Sequence, residues 1–466
     1  LFQNLNRTAS FIGKKTLAEL LLHTLPEAEI LENQEAVNEL KTKIDWRQEF
    51  QALAIISQDS KQSYEAIKHW TSFTNNSLPK VLVALSFILP ITFFGLLTAY
   101  FITSKTIILS YLTYVFIANL IVLGRAVKRI QSEIAKADNV ANIIKQYSLL
   151  IEKIEKESFQ SKKLLHLQAQ LNFKNAKASQ HLKQLSELFS RMDTINNFVT
   201  ATLFNGTFLF NLHVLRALLK WKEDYASEMN HWVSIIGEIE ALNSLANLAY
   251  NNDDFVFPEI NSEYKIEFKN LSHPLLNPAT RVGNDTQFHP QSFVILTGSN
   301  MSGKSTFLRS LGINMVLSGI GSVVCASKAK VHPLPVLVSM RLSDSLSDSE
   351  SYFFAEIKRL KQIMDALENQ PAFVLLDEIL RGTNSDDKRN GTIEVVKKII
   401  SKKAIGAIAT HDIEVCLTTN EYPEILTNQC FEVEIQNNDL HFDYKLRNGI
   451  CKNKSATFLM QKMGVI

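Results

Sequence analysis

The chain has 466 residues, with 49 lysines and arginines against 47 aspartates and glutamates, and 46% of its residues are hydrophobic. This length is enough for roughly two to four domains with sizeable cores. The formal net charge of +2 excludes a polybasic protein of the histone type, so any contact with nucleic acid must come from a local patch. The cysteines, Cys325, Cys416, Cys430 and Cys451, show no CxxC spacing and indicate reduced thiols in a cytosolic compartment. The sequence begins at Leu1 and shows no signal peptide, so we expect a fragment or a processed product.

Residues 1–125 are predicted to be helical, but with two different characters. Residues 1–78 carry leucines at helical spacing and few glycines or prolines. Residues 79–125 contain two uncharged apolar stretches, 81–102 and 106–124, joined by a short turn. Because a bilayer-spanning helix needs about 20 apolar residues and satisfies its own backbone hydrogen bonds in lipid, we predict a transmembrane helical hairpin. The alternative is a buried helical hairpin in a large soluble core.

The charges around the hairpin predict its orientation. Lys80 precedes it, and Arg125, Lys128 and Arg129 follow it, whereas the turn carries only Lys105. Positive residues are enriched on the cytoplasmic side of membranes. Both outer ends of the hairpin are therefore expected in the cytoplasm.

Residues 126–250 are predicted to form a helical stalk that returns to the domain that follows. Between 125 and 190 no proline or glycine occurs, which indicates one or two long helices. The same segment has 12 basic and 6 acidic residues, a net charge of +6. A solvated helical surface explains this excess, and the alternatives are a stalk near anionic lipid or a contact with nucleic acid.

Two further helices are predicted within this stalk. Residues 198–221 are apolar but carry His213 and Arg216 on one side, which favours a buried helix packed on the stalk over a third membrane helix. Residues 232–250 are amphipathic and are predicted as the last helix before a change of structural class. The polar run 251–254 is predicted as a turn or linker.

Residues 251–466 change to a pattern typical of α/β domains. Short β-rich runs alternate with helical patterns, as expected for a parallel sheet with helices on its faces. The runs are YKIEF (264–268), SFVILTG (292–298), GSVVCA (321–326), AFVLLDE (372–378) and AIGAIAT (404–410). The predicted fold class is therefore α plus α/β: a helical region interrupted by a membrane hairpin, then a phosphate-loop domain.

The strongest chemical signal is a phosphate-binding pattern after one of these runs. The stretch GSNMSGKS fits GxxxxGK[ST], follows an apolar strand and opens a helical stretch, which is the context that nucleotide binding needs. Backbone N–H groups of such a loop cradle phosphates, Lys304 would neutralise the β and γ phosphates, and Ser305 would ligate Mg²⁺. The predicted nucleotide-binding residues are Gly298, Ser299, Asn300, Met301, Ser302, Gly303, Lys304, Ser305 and Thr306.

Two other strand ends carry chemistry. Asp377 and Glu378 follow four apolar residues of a predicted buried strand. Asp377 is placed to hold Mg²⁺ together with Ser305, and Glu378 to polarise a water for attack on the γ-phosphate. His411 follows the run AIGAIAT and can sense the γ-phosphate and the attacking water. The sequence predicts a Mg²⁺-dependent ATP hydrolase in which Glu378 and His411 are catalytic.

Together with the residues between them, these motifs resemble the ATPase domain of the MutS mismatch-repair family. TGSNMSGKST is similar to the family's phosphate loop, DEILRGTNSDD to its acidic signature and ATHD to its switch-histidine segment. DSESYFFAEIKRL resembles the segment whose serine, here Ser351, reaches the nucleotide of the partner subunit. SHPLL is similar to the start of that ATPase domain, and LNRTASFIGKKTLAELLLHTLP and EIEALNSLANLAY resemble parts of the core and lever.

The resemblance has consequences beyond the motifs. It implies that 1–78 is the first part of a helical core and lever, that 126–250 returns to it, that 251–466 is a MutS-like ATPase domain, and that nucleotide exchange moves the levers. It implies ATP and Mg²⁺, and a homodimer through facing ATPase domains with Ser351 acting in trans. Action on DNA, as in mismatch repair or on branched structures, is one expected function. The alternative is a mechanochemical membrane ATPase that acts on protein or lipid partners without DNA.

The sequence also departs from the family pattern. Ser299 and Ser302 replace a usual proline and glycine, Lys388 replaces a glycine of the acidic signature, and Arg281 or Val282 stands where an aromatic residue usually stacks on adenine. The hairpin takes the place of the DNA clamp, and we expect neither a mismatch-reading domain nor a C-terminal helix-turn-helix. Mismatch specificity is therefore not expected. The expected location is a bacterial cytoplasmic membrane with the ATPase domain in the cytoplasm, and the alternative is the cytoplasm.

Overall fold

The computed structural model describes most of the chain. It covers residues 1–57, 59–72, 78–135, 140–174, 176–193, 198–340, 352–436 and 439–451, with Met460 and Met463. The chain divides into two compact units. The helical unit consists of Arg7–Leu17 and Lys43–Asn243, and the C-terminal unit consists of Leu1–Asn6, Ala18–Thr42 and Ser244–Ile466. The four domains proposed from the sequence stay a prediction at their stated boundaries.

Helices dominate the first part of the chain, as predicted. They are α1 (Phe2–Leu5), α2 (Phe11–Leu20), α3 (Glu27–Thr42), α4 (Ile44–Ile56), α5 (Lys61–Ser72), α6 (Lys80–Thr103), α7 (Ile107–Ala135), α8 (Val140–Lys156), α9 (Lys162–Ala169), α10 (Ala178–Asp193), α11 (Phe198–Phe208) and α12 (Phe210–Asn251). Two short antiparallel strands, β1 (Asn172–Phe173) and β2 (Ala176–Lys177), form a small hairpin between α9 and α10.

The prediction of one or two long helices over 125–190 is wrong. The described part of that segment contains the end of α7, then α8, α9 and α10. α8 packs against α10, and its apolar face, with Ile144, Tyr147 and Ile151, is fully buried. A lack of glycine and proline permits a continuous helix but does not require one. Several shorter helices joined by chain reversals are more stable here than one long helix, because the reversals bury the apolar stripes of amphipathic helices against each other.

The predicted membrane hairpin corresponds to two long apolar helices, α6 and α7, which pack against each other. α6 is followed by Ser104, which has a left-handed φ of 53° and donates its N–H to the Tyr100 carbonyl oxygen at 2.8 Å. By length and composition, Lys80–Thr103 and Ile107–Gln131 could each cross a membrane, and only 6% and 17% of their most apolar windows are buried. A core helix of a soluble protein would be mostly buried, so this exposure speaks against the buried-hairpin alternative.

The segment 198–250 differs from both of its predicted helices. Residues 198–221 do not form one helix, because Leu209 adopts a φ of 51° and separates α11 from α12. The second half is buried, as predicted, with Leu215 wholly enclosed, but α11 exposes large apolar side chains. The predicted separate helix over 232–250 is instead the end of α12, which runs unbroken to Asn251.

The C-terminal unit alternates strands and helices. The strands are β3 (Glu259–Ile260), β4 (Ile266–Leu271), β5 (Asn284–Phe288), β6 (Phe293–Gly298), β7 (Lys328–Val331), β8 (Val336–Ser339), β9 (Phe373–Asp377), β10 (Ile405–Ala409), β11 (Leu426–Phe431), β12 (Glu434–Gln436), β13 (Asp439–His441) and β14 (Leu446–Asn448). The helices are α13 (Lys304–Ser318), α14 (Tyr352–Asn369), α15 (Ser385–Ser401) and α16 (Ile413–Leu417), followed by a single 3₁₀ turn.

The main sheet brings three predicted strands together. Its six strands lie in the order β14-β11-β6-β10-β9-β8, and all neighbours are parallel except β14, which pairs antiparallel with β11. β6, β9 and β10 are fully buried and confirm the predicted runs SFVILTG, AFVLLDE and AIGAIAT. Ala409, at the end of β10, pairs with Leu296 on β6 and with Asp377 on β9. The carboxyl ends of these strands therefore meet at one edge of the sheet, where ligands bind in such folds.

Two of the predicted strand runs do not belong to the parallel sheet: one lies in a second sheet, and the other forms no strand. The second sheet has four strands in the order β3-β7-β4-β5. The run YKIEF contributes to β4, but β4 pairs antiparallel with both neighbours, so it does not belong to the parallel sheet as predicted. The run GSVVCA forms no strand, and only Val324 makes an isolated bridge, with Val256. Val323, Val324 and Cys325 are buried, so their apolar character reflects burial rather than strand pairing.

Candidate nucleotide site

The predicted phosphate loop connects β6 to α13. A Cβ atom at Gly298 would lie 2.6 Å from Ser302 Oγ and 2.8 Å from the carbonyl oxygen of Phe431, so only glycine fits there. Gly303, directly before α13, has a φ of +107°, which side chains rarely adopt. The loop therefore turns tightly and runs into the N-terminus of α13. The first N–H groups of a helix have no partner within it and carry partial positive charge.

Lys304 is the first residue of α13, and only 5% of its surface is exposed. Its Nζ donates to the carbonyl oxygen of Gly298 at 2.8 Å and to that of Ser299 at 3.0 Å. The same Nζ lies 3.4 Å from His411 Nε2. A buried ammonium needs such acceptors, and these two carbonyl oxygens hold the lysine across its own loop.

Asp377, at the end of β9, is 3% exposed. Neither of its carboxylate oxygens has a hydrogen-bond partner among the residues that the structure describes. Isolating a carboxylate in this way costs several kcal/mol unless a cation or donor compensates. A carboxylate is the ligand type that Mg²⁺ takes, so the buried and unpartnered side chain of Asp377 fits a magnesium ion. Ser305, half-buried at the start of α13, offers a hydroxyl of the kind that joins such a site.

Glu378 is held by two basic groups. Its Oε1 accepts from His411 Nε2 at 2.6 Å, and its Oε2 forms an ion pair with Arg381. Burial raises the pKa of the Glu378 carboxyl, but the hydrogen bond from His411 and the positive charges of His411, Arg381 and Lys304 outweigh it and lower this pKa to about 2. Glu378 is therefore ionised at neutral pH, and both of its carboxylate oxygens interact with neighbouring side chains. Its backbone is also strained, with a φ of 49°.

Arg381 and Glu356 were not predicted as site residues. Arg381 donates from Nε to the carbonyl oxygen of Glu378 at 3.1 Å, and its backbone N–H donates to Glu356 Oε2 at 3.1 Å. Burial raises the pKa of the Glu356 carboxyl, and hydrogen bonds from Arg381 and Leu380 offset this only in part. Arg381 lies in the stretch that resembles the MutS acidic signature, and Glu356 lies in the stretch that resembles the serine segment. That resemblance is the sequence signal that could have identified them.

A cavity of about 740 Å³ opens beside the loop. Arg281 and Val282 line it, but so does Tyr444, an aromatic residue that the sequence did not single out. Tyr444 is 44% exposed, and its Cδ1 would lie 3.2 Å from a Cβ atom at Gly303. Its carbonyl oxygen accepts from Asn284 Nδ2 at 3.0 Å, which fixes its backbone against β5. The cavity thus has a polar end at the loop and an aromatic wall.

The structure brings most of the predicted site residues together. Those on the cavity wall are Asn300, Met301, Ser302, Gly303, Lys304, Ser305, Thr306 and Glu378. The carbonyl oxygens of Gly298 and Ser299 accept hydrogen bonds from Lys304, and His411 donates a hydrogen bond to Glu378. Asp377 precedes Glu378 at the same strand end. Ser351 lies outside the described residues, and the chemical roles assigned to all of these positions stay predictions.

Comparison with known proteins points to the same region. Residues 294–464 match the protein family described as MutS domain V. The DNA mismatch repair protein MutS of Methanococcoides burtonii is 34% identical over 196 residues, 40% of this chain and 22% of that protein. MutS of Clostridium perfringens is 31% identical over 227 residues (46% and 25%), and the Arabidopsis thaliana DNA mismatch repair protein MSH3 is 28% identical over 268 residues (54% and 24%). The chain thus spans about a quarter of the length of these relatives.

Proposed function

We propose that this chain, a MutS-like protein through its domain V, is a membrane-anchored ATPase that couples Mg²⁺-dependent ATP hydrolysis to movement of its helical lever. The proposal rests above all on one observation. His411 Nε2 lies 2.6 Å from Glu378 Oε1 and 3.4 Å from Lys304 Nζ. The groups that would bind phosphate and activate water therefore lie close to one histidine, which supports the proposal. The test is ATP hydrolysis by the full chain in vesicles, with Mg²⁺ and with a chelator.

The phosphate end of ATP would bind at the loop. Backbone N–H groups at the N-terminus of α13 favour an anion, and Lys304 would exchange its two carbonyl partners for phosphate oxygens. Asp377 and Ser305 would hold Mg²⁺, which supplies positive charge against the charge that develops on the transferred phosphoryl group. The unpartnered, buried carboxylate of Asp377 supports this assignment.

Water activation would fall to Glu378. In the arrangement described above, Arg381 and His411 occupy its two oxygens, so the carboxylate cannot take a proton from water. Release from these two side chains would raise the pKa of Glu378 from about 2 towards the ordinary range of a glutamate, which strengthens it as a base. His411, shared between Lys304 and Glu378, is placed to make this release depend on the γ-phosphate.

The base of the nucleotide would contact Tyr444. Replacing Tyr444 with Ala should weaken ATP binding by roughly 5- to 150-fold, because stacking of a base on an aromatic ring contributes about 1–3 kcal/mol. The measurement is the Kd for ATP by titration, with kcat determined in parallel. Tyr444→Phe is the matched control and should bind nearly as well as the native chain. An unchanged Kd in Tyr444→Ala would exclude this ring from base recognition.

A membrane anchor and a dimer complete the proposal. The exposure of α6 and α7 supports insertion of Lys80–Thr103 and Ile107–Gln131 in a bilayer, since exposed apolar helices of this length are otherwise costly in water. Two copies would face each other through their ATPase domains, with Ser351 of each completing the site of its partner. Both points extend the resemblance of the sequence to the MutS family.

DNA is a second candidate partner, because the matched relatives are named DNA mismatch repair proteins. Exposed lysines on α8 and α10, such as Lys145 and Lys183, supply part of the excess positive charge. If they contact phosphates, changing both to Glu should weaken DNA binding and reduce the salt slope of log K by about 1 per lost contact. The same change at Lys361 and Lys398, exposed in the C-terminal unit, is the control. No binding to duplex, mismatched or branched DNA at low salt would favour protein or lipid partners.

A further inference from the structure

α11 has an apolar outer face that nothing in the described part of the helical unit covers. Leu203, Phe204 and Phe208 are 57%, 41% and 47% exposed. The stretch 198–215 contains no Lys, Arg, Asp or Glu. Single exposed apolar residues are ordinary, but a contiguous apolar patch marks a surface that meets something other than water.

This face continues the surface of the apolar hairpin. Gly206 lies so close to α7 that a Cβ atom there would be 2.1 Å from the ring of Phe116. Asn119, fully buried on α7, donates from Nδ2 to the Gly206 carbonyl oxygen at 2.7 Å. The ring of Phe208 lies 4.8 Å from that of Phe94 on α6. A small residue at the contact and a polar side chain that satisfies a backbone group are how helices associate inside membranes.

At the break between α11 and α12, backbone N–H groups are hydrogen-bonded within the protein. Leu209 is fully buried, and its N–H donates to the Asn205 carbonyl oxygen at 3.1 Å. Asn205, 1% exposed, accepts the N–H of Asn211 through its side-chain oxygen at 2.9 Å. Irregular backbone at membrane depth is tolerated only where protein groups satisfy it. The N–H groups of Leu209 and Asn211 meet that condition.

The first turns of α12 are fastened to α6 in the same way. Pro90 has no N–H, so it cannot donate to the carbonyl oxygen of Ser86 four residues earlier. His213 Nε2 donates to that oxygen instead, at 2.9 Å. Arg216, exposed on the next turn, places its guanidinium 5.0 Å from the ring of Phe87. A carbonyl group that would be costly in hydrocarbon is thus satisfied.

These contacts give the direction of the two segments along α6. Phe208 lies beside Phe94, whereas His213 lies beside Ser86. Eight helical residues correspond to about 12 Å along the axis, and Lys80 marks the cytoplasmic end under the proposed orientation. The chain is therefore deepest near Leu209 and returns towards the cytoplasm at His213.

We infer that α11 and the first turns of α12 form a re-entrant hairpin whose outer face contacts the hydrocarbon of the cytoplasmic leaflet. The inference rests on the proposed membrane anchor and goes beyond it. It gives the protein a third lipid-facing element that enters and leaves on one side. Because the exposed face of α11 continues the apolar surface of α6 and α7, we expect lipid to cover it. Arg216 would reach the headgroups, as long basic side chains do near a membrane surface.

The test measures depth in a bilayer. Single cysteines are placed at Leu203, Phe208, Ile91 and Leu22 in full-length protein that carries Cys451→Ser, labelled with an environment-sensitive fluorophore and reconstituted in phosphatidylcholine–phosphatidylglycerol vesicles. Nitroxides at the lipid headgroup or at the acyl-chain centre, and aqueous iodide, serve as quenchers. The labels at Phe208 and Ile91 should be quenched more by the central nitroxide. The label at Leu203, five residues and about 7.5 Å before Phe208 along α11, should be quenched less by the central nitroxide than the label at Phe208. The label at Leu22 should be quenched by iodide.

Each other pattern has a defined meaning. Iodide quenching at Leu203 and Phe208, with lipid quenching at Ile91, would overturn the re-entrant hairpin and spare the membrane anchor. Equal, shallow quenching at the two α11 positions would mean that α11 lies flat on the surface. Protection from every quencher would mean that protein, such as a second copy, covers it, which also overturns the inference. Iodide quenching at Ile91 would remove the anchor itself. A label at Phe204 replaces any α11 variant whose circular dichroism shows misfolding.

Discussion

Glu378→Gln is expected to lower kcat for ATP hydrolysis by about 10²- to 10⁴-fold, the usual contribution of a general base. The side chain keeps its size but loses the charge that would accept a proton from water. Binding of ATP should persist, because Lys304 and the loop N–H groups are untouched. The measurement combines steady-state kcat in Mg²⁺ with the Kd for ATP, so that loss of turnover is separated from loss of binding.

The matched control for this change is Glu394→Gln. Glu394 is an exposed glutamate on α15, so the same chemical change there should leave kcat within a factor of about two, as surface substitutions usually do. Native turnover in Glu378→Gln would reject the general-base role. A parallel loss of ATP binding would instead assign Glu378 to the architecture of the loop, through its ties to His411 and Arg381.

Ile91→Arg is expected to release the protein from membranes. Ile91 is 71% exposed near the middle of α6. An arginine at the centre of a spanning helix costs about 2.5–3.5 kcal/mol, which corresponds to roughly a hundredfold shift in partitioning. After carbonate washing, the native chain should stay in the membrane pellet, and a substantial part of the variant should appear in the supernatant.

Leu22→Arg controls for the effect of an added charge. Leu22 is 76% exposed and lies outside the apolar hairpin, so the charge meets water and the protein should stay in the pellet. Native chain found in the supernatant would refute the membrane anchor. Equal release of both variants would show that arginine acts through misfolding rather than through lipid.

The loop and its strands could be predicted because their determinants are local. Four apolar residues, a glycine-containing turn and a lysine specify a buried strand, a tight loop and a helix start within a dozen positions. The same holds for Asp377 and Glu378 at the end of β9. Their encounter with His411 also follows from topology, since parallel strands end at the same edge. The buried strands of the α/β part of the fold were therefore accessible from the sequence, whereas the membrane hairpin and the roles of the site residues stay predictions.

Other features depend on contacts distant in sequence. The residue at the break is a leucine, not a glycine or proline, and Gly206 lies inside α11. The break is accompanied by a hydrogen bond to the Asn205 side chain and by packing of α11 against α7. Tyr444 reaches the cavity only because β11 and β14 fold back beside β6. The ion pair of Arg381 with Glu378 occurs where Glu378 has a left-handed φ of 49°, which no local pattern signals. The run GSVVCA was misread because burial and strand pairing leave the same apolar pattern.

The two hydrogen bonds of Lys304 to Gly298 and Ser299 have a consequence for ligand selection. The loop contains its own competitor, because an incoming anion must displace two carbonyl oxygens before it gains the ammonium. Inorganic phosphate and pyrophosphate offer nothing at the aromatic end of the cavity to offset that loss. A nucleoside triphosphate would offset it through its base, which neither small anion carries. If ATP binds as proposed, the self-bound lysine would act as a filter against the small anions that are abundant in cells.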